Sequence, residues 1–176
     1  MVEEILKSLK ERLDEKKIPA KIIEEDRPVL TVLFSKPVTD SDIYGDIFFS
    51  TYGGDPFDNG LAVLQWEAAD ITGYSSGEHA KLCVALSLLN SVLPAGGYAV
   101  LTEDAADDAD SDYPSKITLI YRIVLPVGEI AEKGWLTDEV YDSIETSAAV
   151  LKTTAGALCG YAKGEVSEDE FRELLS

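Results

Sequence analysis

Apolar residues recur along this chain with two alternating periods, and the switches between them mark out its elements. Residues 2–16 set Ile5, Leu6, Leu9 and Leu13 on one helical face with Glu, Lys and Arg opposite, predicting an amphipathic helix that must lie on something. Pro19 and the run through Ile22 and Ile23 predict a first strand, closed by the turn EEDRP. Residues 29–34 (VLTVLF) predict a second strand, whose unbroken apolar character predicts burial on both faces. Pro37, within SKPVTDSD, punctuates the chain. Residues 43–52 (IYGDIFFSTY) predict a third strand and 61–69 (LAVLQWEAA) a fourth. Between them GGDPFDNG is rich in residues that tolerate left-handed dihedrals. Hairpin-like spacing makes an antiparallel meander the simplest topology.

In the second half, residues 77–94 (GEHAKLCVALSLLNSVLP) predict a helix that is apolar on nearly every face and hence buried. Residues 97–102 (GYAVLT) and 115–125 (SKITLIYRIVL) predict two strands around an acidic loop. A long helix is predicted over 137–163, with Thr137 as N-cap and Asp138 and Glu139 in the first turn. Its apolar stripe is Val140, Tyr141, Ile144, Ala148, Leu151, Ala155 and Leu158. Gly156 and Gly160 weaken its distal end where close packing is expected, and Gly164 ends it. Ser167 with Glu170 forms a capping box opening a short helix to about Leu175. No repeat appears at a solenoid period. The predicted order is α-β-β-β(-β)-α-β-β-α in one domain over residues 1–176: an α+β fold, an antiparallel sheet with helices packed on it.

Charge changes the list of partners. The 176 residues hold 15 Lys and Arg against 33 Asp and Glu, a net charge of −18. Such a surface repels a phosphate backbone, which needs basic side chains to displace its counterions, so neither nucleic acid nor an anionic membrane is an expected partner. It keeps the chain soluble and attracts basic partners. A hydrophobic content of 45% and a charged content of 27% are globular values. MVEEILKSLKERLDEKK contains no uninterrupted apolar stretch, so no signal peptide is expected, and no apolar run approaches a membrane span. Cys83 and Cys159 fall in apolar helical stretches and are expected in the core, in a reducing cytoplasmic setting.

The candidate chemistry thins out under inspection. The loop EDAADDADSD (103–112) carries six carboxylates in ten residues, and Asp108, Asp110 and Asp112 match the opening of a calcium loop. The match then fails, with Tyr113 in place of the turn glycine and Leu119 in place of the bidentate glutamate. These three aspartates are candidates for a weak divalent-metal site at most, and a solvated hairpin tip is the simpler reading. GYSSG (73–77) spells a nucleophile elbow. The only histidine, His79, nevertheless follows it at once where a hydrolase places its base far downstream, and no parallel sheet is predicted. Ser75 or Ser76 reads instead as a helix cap. Cys83 has only His79, one turn earlier, as a base. LPAGGY lacks the spacing of a phosphate-binding loop. No catalytic residue, cofactor or structural metal follows from this inventory. Phe48 and Phe49 are adjacent in a strand and point to opposite faces, so one of those faces needs a covering. Phe48, Phe49, Trp66, Tyr98 and Tyr121 are the candidate partner-binding side chains.

Three phrases carry a family resemblance: LLNSVLPAGGYAVL (88–101), ITLIYRIVLPVG (117–128) with its Tyr121, Arg122, Leu125 and Pro126, and the helix opening LTDEVYDSI (136–144), which closes near Gly160 or Gly164. With the order of elements, they make residues 1–164 resemble the type III secretion chaperone-like fold, including the YbjN-like family of bacterial proteins. The acidic loop and the GGDPFDNG turn depart from that pattern. The resemblance implies a non-enzymatic protein-binding or regulatory module, usually a homodimer, in which an extended partner segment lies over hydrophobic patches. The residues themselves keep a second expectation open: a small-ligand or divalent-metal domain using the sheet–helix cavity or the loop 103–112.

Overall fold

The computed structural model describes residues 2–24, 27–51, 60–103, 116–127 and 133–173. Among them run α1 (Val2–Glu15), β1 (Ala20–Glu24), β2 (Pro28–Phe34), β3 (Ile43–Thr51), β4 (Gly60–Asp70), α2 (Ser76–Asn90), β5 (Gly97–Glu103), β6 (Lys116–Val127), α3 (Lys133–Lys163) and α4 (Glu168–Glu173). The fold is α+β, with one antiparallel sheet in the strand order β1-β2-β3-β4-β6-β5. The chain forms two compact units, Met1–Trp66 with Arg122–Ala149 and Glu67–Tyr121 with Val150–Ser176, with boundaries inside β4, β6 and α3.

In the first unit, Ile5, Leu6, Leu9 and Leu13 are fully buried, as the period of the N-terminal segment requires, and α1 packs against β1 and β2. β2 departs from expectation. Leu30, Val32 and Phe34 are buried while Val29, Thr31 and Leu33 are half-buried, so the strand has one core face. On the other face Thr31 meets its β3 neighbour Asp46, donating a 2.7 Å hydrogen bond to Oδ1. β3 alternates cleanly: Ile43, Gly45, Ile47 and Phe49 are buried, while Tyr44 and Asp46 are exposed.

The centre of this unit is Trp66, fully buried opposite Gly45 in the β3–β4 register. A Cβ at Gly45 would lie 1.9 Å from the indole Cε3, so only a residue without a side chain leaves room for the ring. The other aromatic partner is Phe34, stacked at 4.3 Å between centroids with 16° between planes. The indole N–H meets no acceptor among the described residues. Arg12 joins α1 to α3, pairing with Asp138 and lying 5.5 Å over the Tyr141 ring.

In the second unit, α2 opens with a complete capping box. The Ser75 hydroxyl accepts the Glu78 N–H, and the Glu78 carboxylate accepts the Ser75 N–H. The helix ends at Asn90, four residues before the expected point, because the Ser91 N–H and hydroxyl turn back onto Leu88. α3 starts earlier than expected. Leu136 and Thr137, in the part of α3 that belongs to the first unit, are both buried inside it, so its packed face begins before the polar pair that marked the start, and Thr137 is not the cap. At the far end Gly164 adopts φ +78°, the left-handed conformation that closes a helix, and the Glu165 N–H returns to the Gly160 carbonyl at 2.8 Å. A Cβ at Gly160 would meet Val166 Cγ2 at 2.7 Å, so this glycine does serve close packing; one at Gly156 would meet open space. α4 opens with the expected Ser167–Glu170 box and stacks Phe171 on Tyr161 at 4.8 Å.

Replacing Gly45 tests the centre of the first unit. Gly45→Ala forces the indole or the β3 backbone to move, and overpacking of this kind costs about 1–3 kcal/mol. A urea midpoint lowered in Gly45→Ala, and lowered further in Gly45→Val, is the expected result. An unchanged midpoint would show that the ring has room to spare.

Candidate functional site

Four of the five candidate partner-binding side chains lie inside the protein. Trp66 and Tyr121 are fully buried, and Tyr98 and Phe49 nearly so. Phe48 alone is half-buried, and its ring carries the Arg27 guanidinium at 4.2 Å. Tyr98 and Tyr121 act as a buried pair, with rings 5.1 Å apart. The Tyr98 hydroxyl shares a 2.8 Å hydrogen bond with Thr154, and the Tyr121 hydroxyl donates to the Ala95 carbonyl. Burial raises both phenol pKa values, that of Tyr121 to about 12. Asp108, Asp110 and Asp112 lie outside the described residues. Among the described residues no group of three His, Cys, Asp or Glu converges for a metal.

The surface the sequence did not single out is on α2 and β5. Helix α2 buries Leu82, Ala85, Leu86 and Leu89 and turns its remaining apolar residues outward, so it is not the fully buried helix expected. Val84 is 57% exposed, Leu88 41% and Val92, just past the helix, 51%. Cys83 is exposed on this same arc, which corrects its expected place in the core. Cys159 is half-buried. Residues 82–102 carry no charged side chain, so the outward arc is neutral beyond the exposed Lys81, which stands one turn before Val84 on the same face, in a chain of net charge −18.

β5 lies at one end of the sheet and packs against α2. The last residue of α2 fills the first place along its edge. The Asn90 amide donates to the Tyr98 carbonyl and accepts the Tyr98 N–H, both at 2.8 Å. Backbone groups alternate in direction along an antiparallel ladder, so those of Val100 and Thr102 face the same edge as those of Tyr98. Val100 is also 38% exposed at its side chain. The opposite edge strand, β1, carries Lys21 and Glu24 in five residues, the usual guard against pairing with another chain; β5 has none before Glu103.

The GYSSGEH segment is structural at its serine. The Ser75 hydroxyl donates to Glu78 Oε2 at 2.6 Å and not to His79, whose backbone N–H bonds the Ser75 carbonyl. Tyr74 lies near Cys159, and its ring is 5.9 Å from that of His79. Burial first, and the neighbouring Cys159 second, raise its pKa. Among the described residues no helix is long and apolar enough to cross a membrane.

Two measurements follow. The raised Tyr98 and Tyr121 pKa values mean that the unfolded chain ionises first. Their contribution is therefore complete below the ordinary tyrosine value of 10 and is lost as pH rises towards about 12. Urea midpoints should fall across that window, and less steeply in Tyr121→Phe. A wild-type midpoint that stays flat would show that the pair is not linked to stability. Native thiol labelling followed by mass spectrometry should modify Cys83 well before Cys159, and the reverse order would contradict the outward placement of Cys83. Comparisons of the chain with protein-family models, with characterised proteins and with solved structures return no match.

Proposed function

We propose that this protein is a non-enzymatic protein-binding module that holds an extended, basic partner segment against α2 and the edge of β5. The observation that carries the reading is a strand edge that pairs with no other strand among the described residues, on a strand packed against α2 with its apolar arc. Asn90 occupies the Tyr98 position, Val100 and Thr102 present the following backbone groups on the same edge, and α2, which packs against β5, exposes Val84 and Leu88. An added strand gains affinity from main-chain hydrogen bonds and specificity from alternate side chains. Its apolar positions lie on the α2 arc beyond Lys81, where no charge has to be desolvated. Its basic positions meet the acidic balance of the chain, including the run 103–112 that continues β5 in sequence, which speeds encounter and favours cationic segments. The element order also agrees with the one that the resemblance to secretion chaperones implies. In the homodimer that this resemblance implies, a second copy uses the same neutral face.

A labelled peptide of alternating valine and lysine tests the reading by fluorescence anisotropy. Wild-type protein is expected to bind it, more weakly in high salt, and to ignore the version with glutamate in place of lysine. Leu88→Glu on the exposed arc should weaken binding by about tenfold or more. Indifference to peptide charge, or binding unchanged in Leu88→Glu, would sink the proposal. Light scattering on the same two proteins reads the second copy, since a dimer that Leu88→Glu dissociates uses this face.

A further inference from the structure

The second unit holds a pocket of about 390 Å³ beside the β4–α2 turn, lined by Asp70, Thr72, Gly73, Tyr74, Glu78 and Lys163. Its charges are unusually arranged. Asp70 commits Oδ1 to the N–H and hydroxyl of Thr72, at 2.9 and 2.7 Å, which leaves Oδ2 unused. Glu78 commits Oε2 to the N–H and hydroxyl of Ser75, at 2.7 and 2.6 Å, which leaves Oε1 unused. These bonds hold both carboxyls below their ordinary pKa and thus ionised. Lys163 forms no ion pair among the described residues, although acidic groups outnumber basic ones 33 to 15 along the chain. Its ammonium rests instead 5.3 Å over the Tyr74 ring. That ring is half-buried, and Cys159 lies near its hydroxyl.

The pocket therefore offers two carboxylates with a spare oxygen each, one cation that lies near Glu78 without a direct ion pair, and a half-buried aromatic wall. A simple cation would meet repulsion from Lys163, and a simple anion would meet it from Asp70 and Glu78. A hard divalent ion wants converging oxygens with no ammonium among them. A molecule bearing both signs satisfies all three groups at once. We propose that this pocket binds a small zwitterion of the α-amino-acid type, with its ammonium on Asp70 and Glu78, its carboxylate on Lys163 and its carbon skeleton against Tyr74. The site uses none of the residues of the α2–β5 surface, so it goes beyond the partner-binding reading and stands or falls separately from it.

Amide chemical shifts of the ¹⁵N-labelled full chain test this, with Thr72 and Gly73 as reporters. The probes are glycine, glycine methyl ester, which keeps only the cation, and N-acetylglycine, which keeps only the anion. The expected result is a saturable shift with glycine, and about tenfold or weaker binding of each singly charged probe. Lys163→Met, at an exposed position, should bring glycine down to the level of its ester while leaving the thermal melt in place. The proposal is overturned if glycine gives no saturable shift at millimolar concentrations, if the ester or the acetylated probe binds as tightly as glycine, or if Lys163→Met leaves that preference intact.

Discussion

Trp66 needs a flat, empty place on the neighbouring strand, and Gly45 provides it. A Cβ there would fall inside the indole, so the two positions are fixed to each other, and with them the register of β3 against β4. A slip of one residue would put Tyr44 or Asp46 under the ring and turn the buried positions of the strand outward. Phe34 brings β2 to the same ring by stacking, which extends the constraint across a third strand. The indole N–H has no acceptor among the described residues, an enthalpic cost that the stacking and burial of the largest side chain offset.

Much of this was legible in the amino acids. Ile5, Leu6, Leu9 and Leu13 repeat at helical spacing and are all buried, and the Ser167–Glu170 box opens a helix as its spacing says. Each strand appears within a residue or two of its predicted place, because alternation and turn residues are local signals. What failed was the reading of faces. VLTVLF reads as apolar throughout, yet only alternate residues are buried, since burial depends on what covers each side of a sheet. The period of α2 is equally silent, because apolar residues lie all around it and only packing decides that Leu82 and Leu86 go in while Val84 and Leu88 stay out.

The site residues were the least legible. Size and aromaticity pointed to Trp66, Tyr98 and Tyr121, and the same properties placed those side chains in the interior. The exposed surface is built from smaller residues whose one collective signal is negative: from Leu82 to Thr102 no side chain is charged. The Tyr74 pocket gave still less warning. Lys163 is far in sequence from Asp70 and Glu78, and which oxygen each carboxylate has left depends on the turn at Thr72 and the cap at Ser75.

The unguarded edge of β5 also bears on how the chain survives its own synthesis. A neutral, apolar run of this length is the kind of segment that stacks into cross-β aggregates whenever it is left uncovered. Directly after it the sequence places six carboxylates in ten residues. Stacking in register would bring those charges together copy upon copy, at the spacing of neighbouring strands, so the acidic run works as a gatekeeper. An edge that pairs with no strand among the described residues is thereby closed to the indefinite repetition of itself.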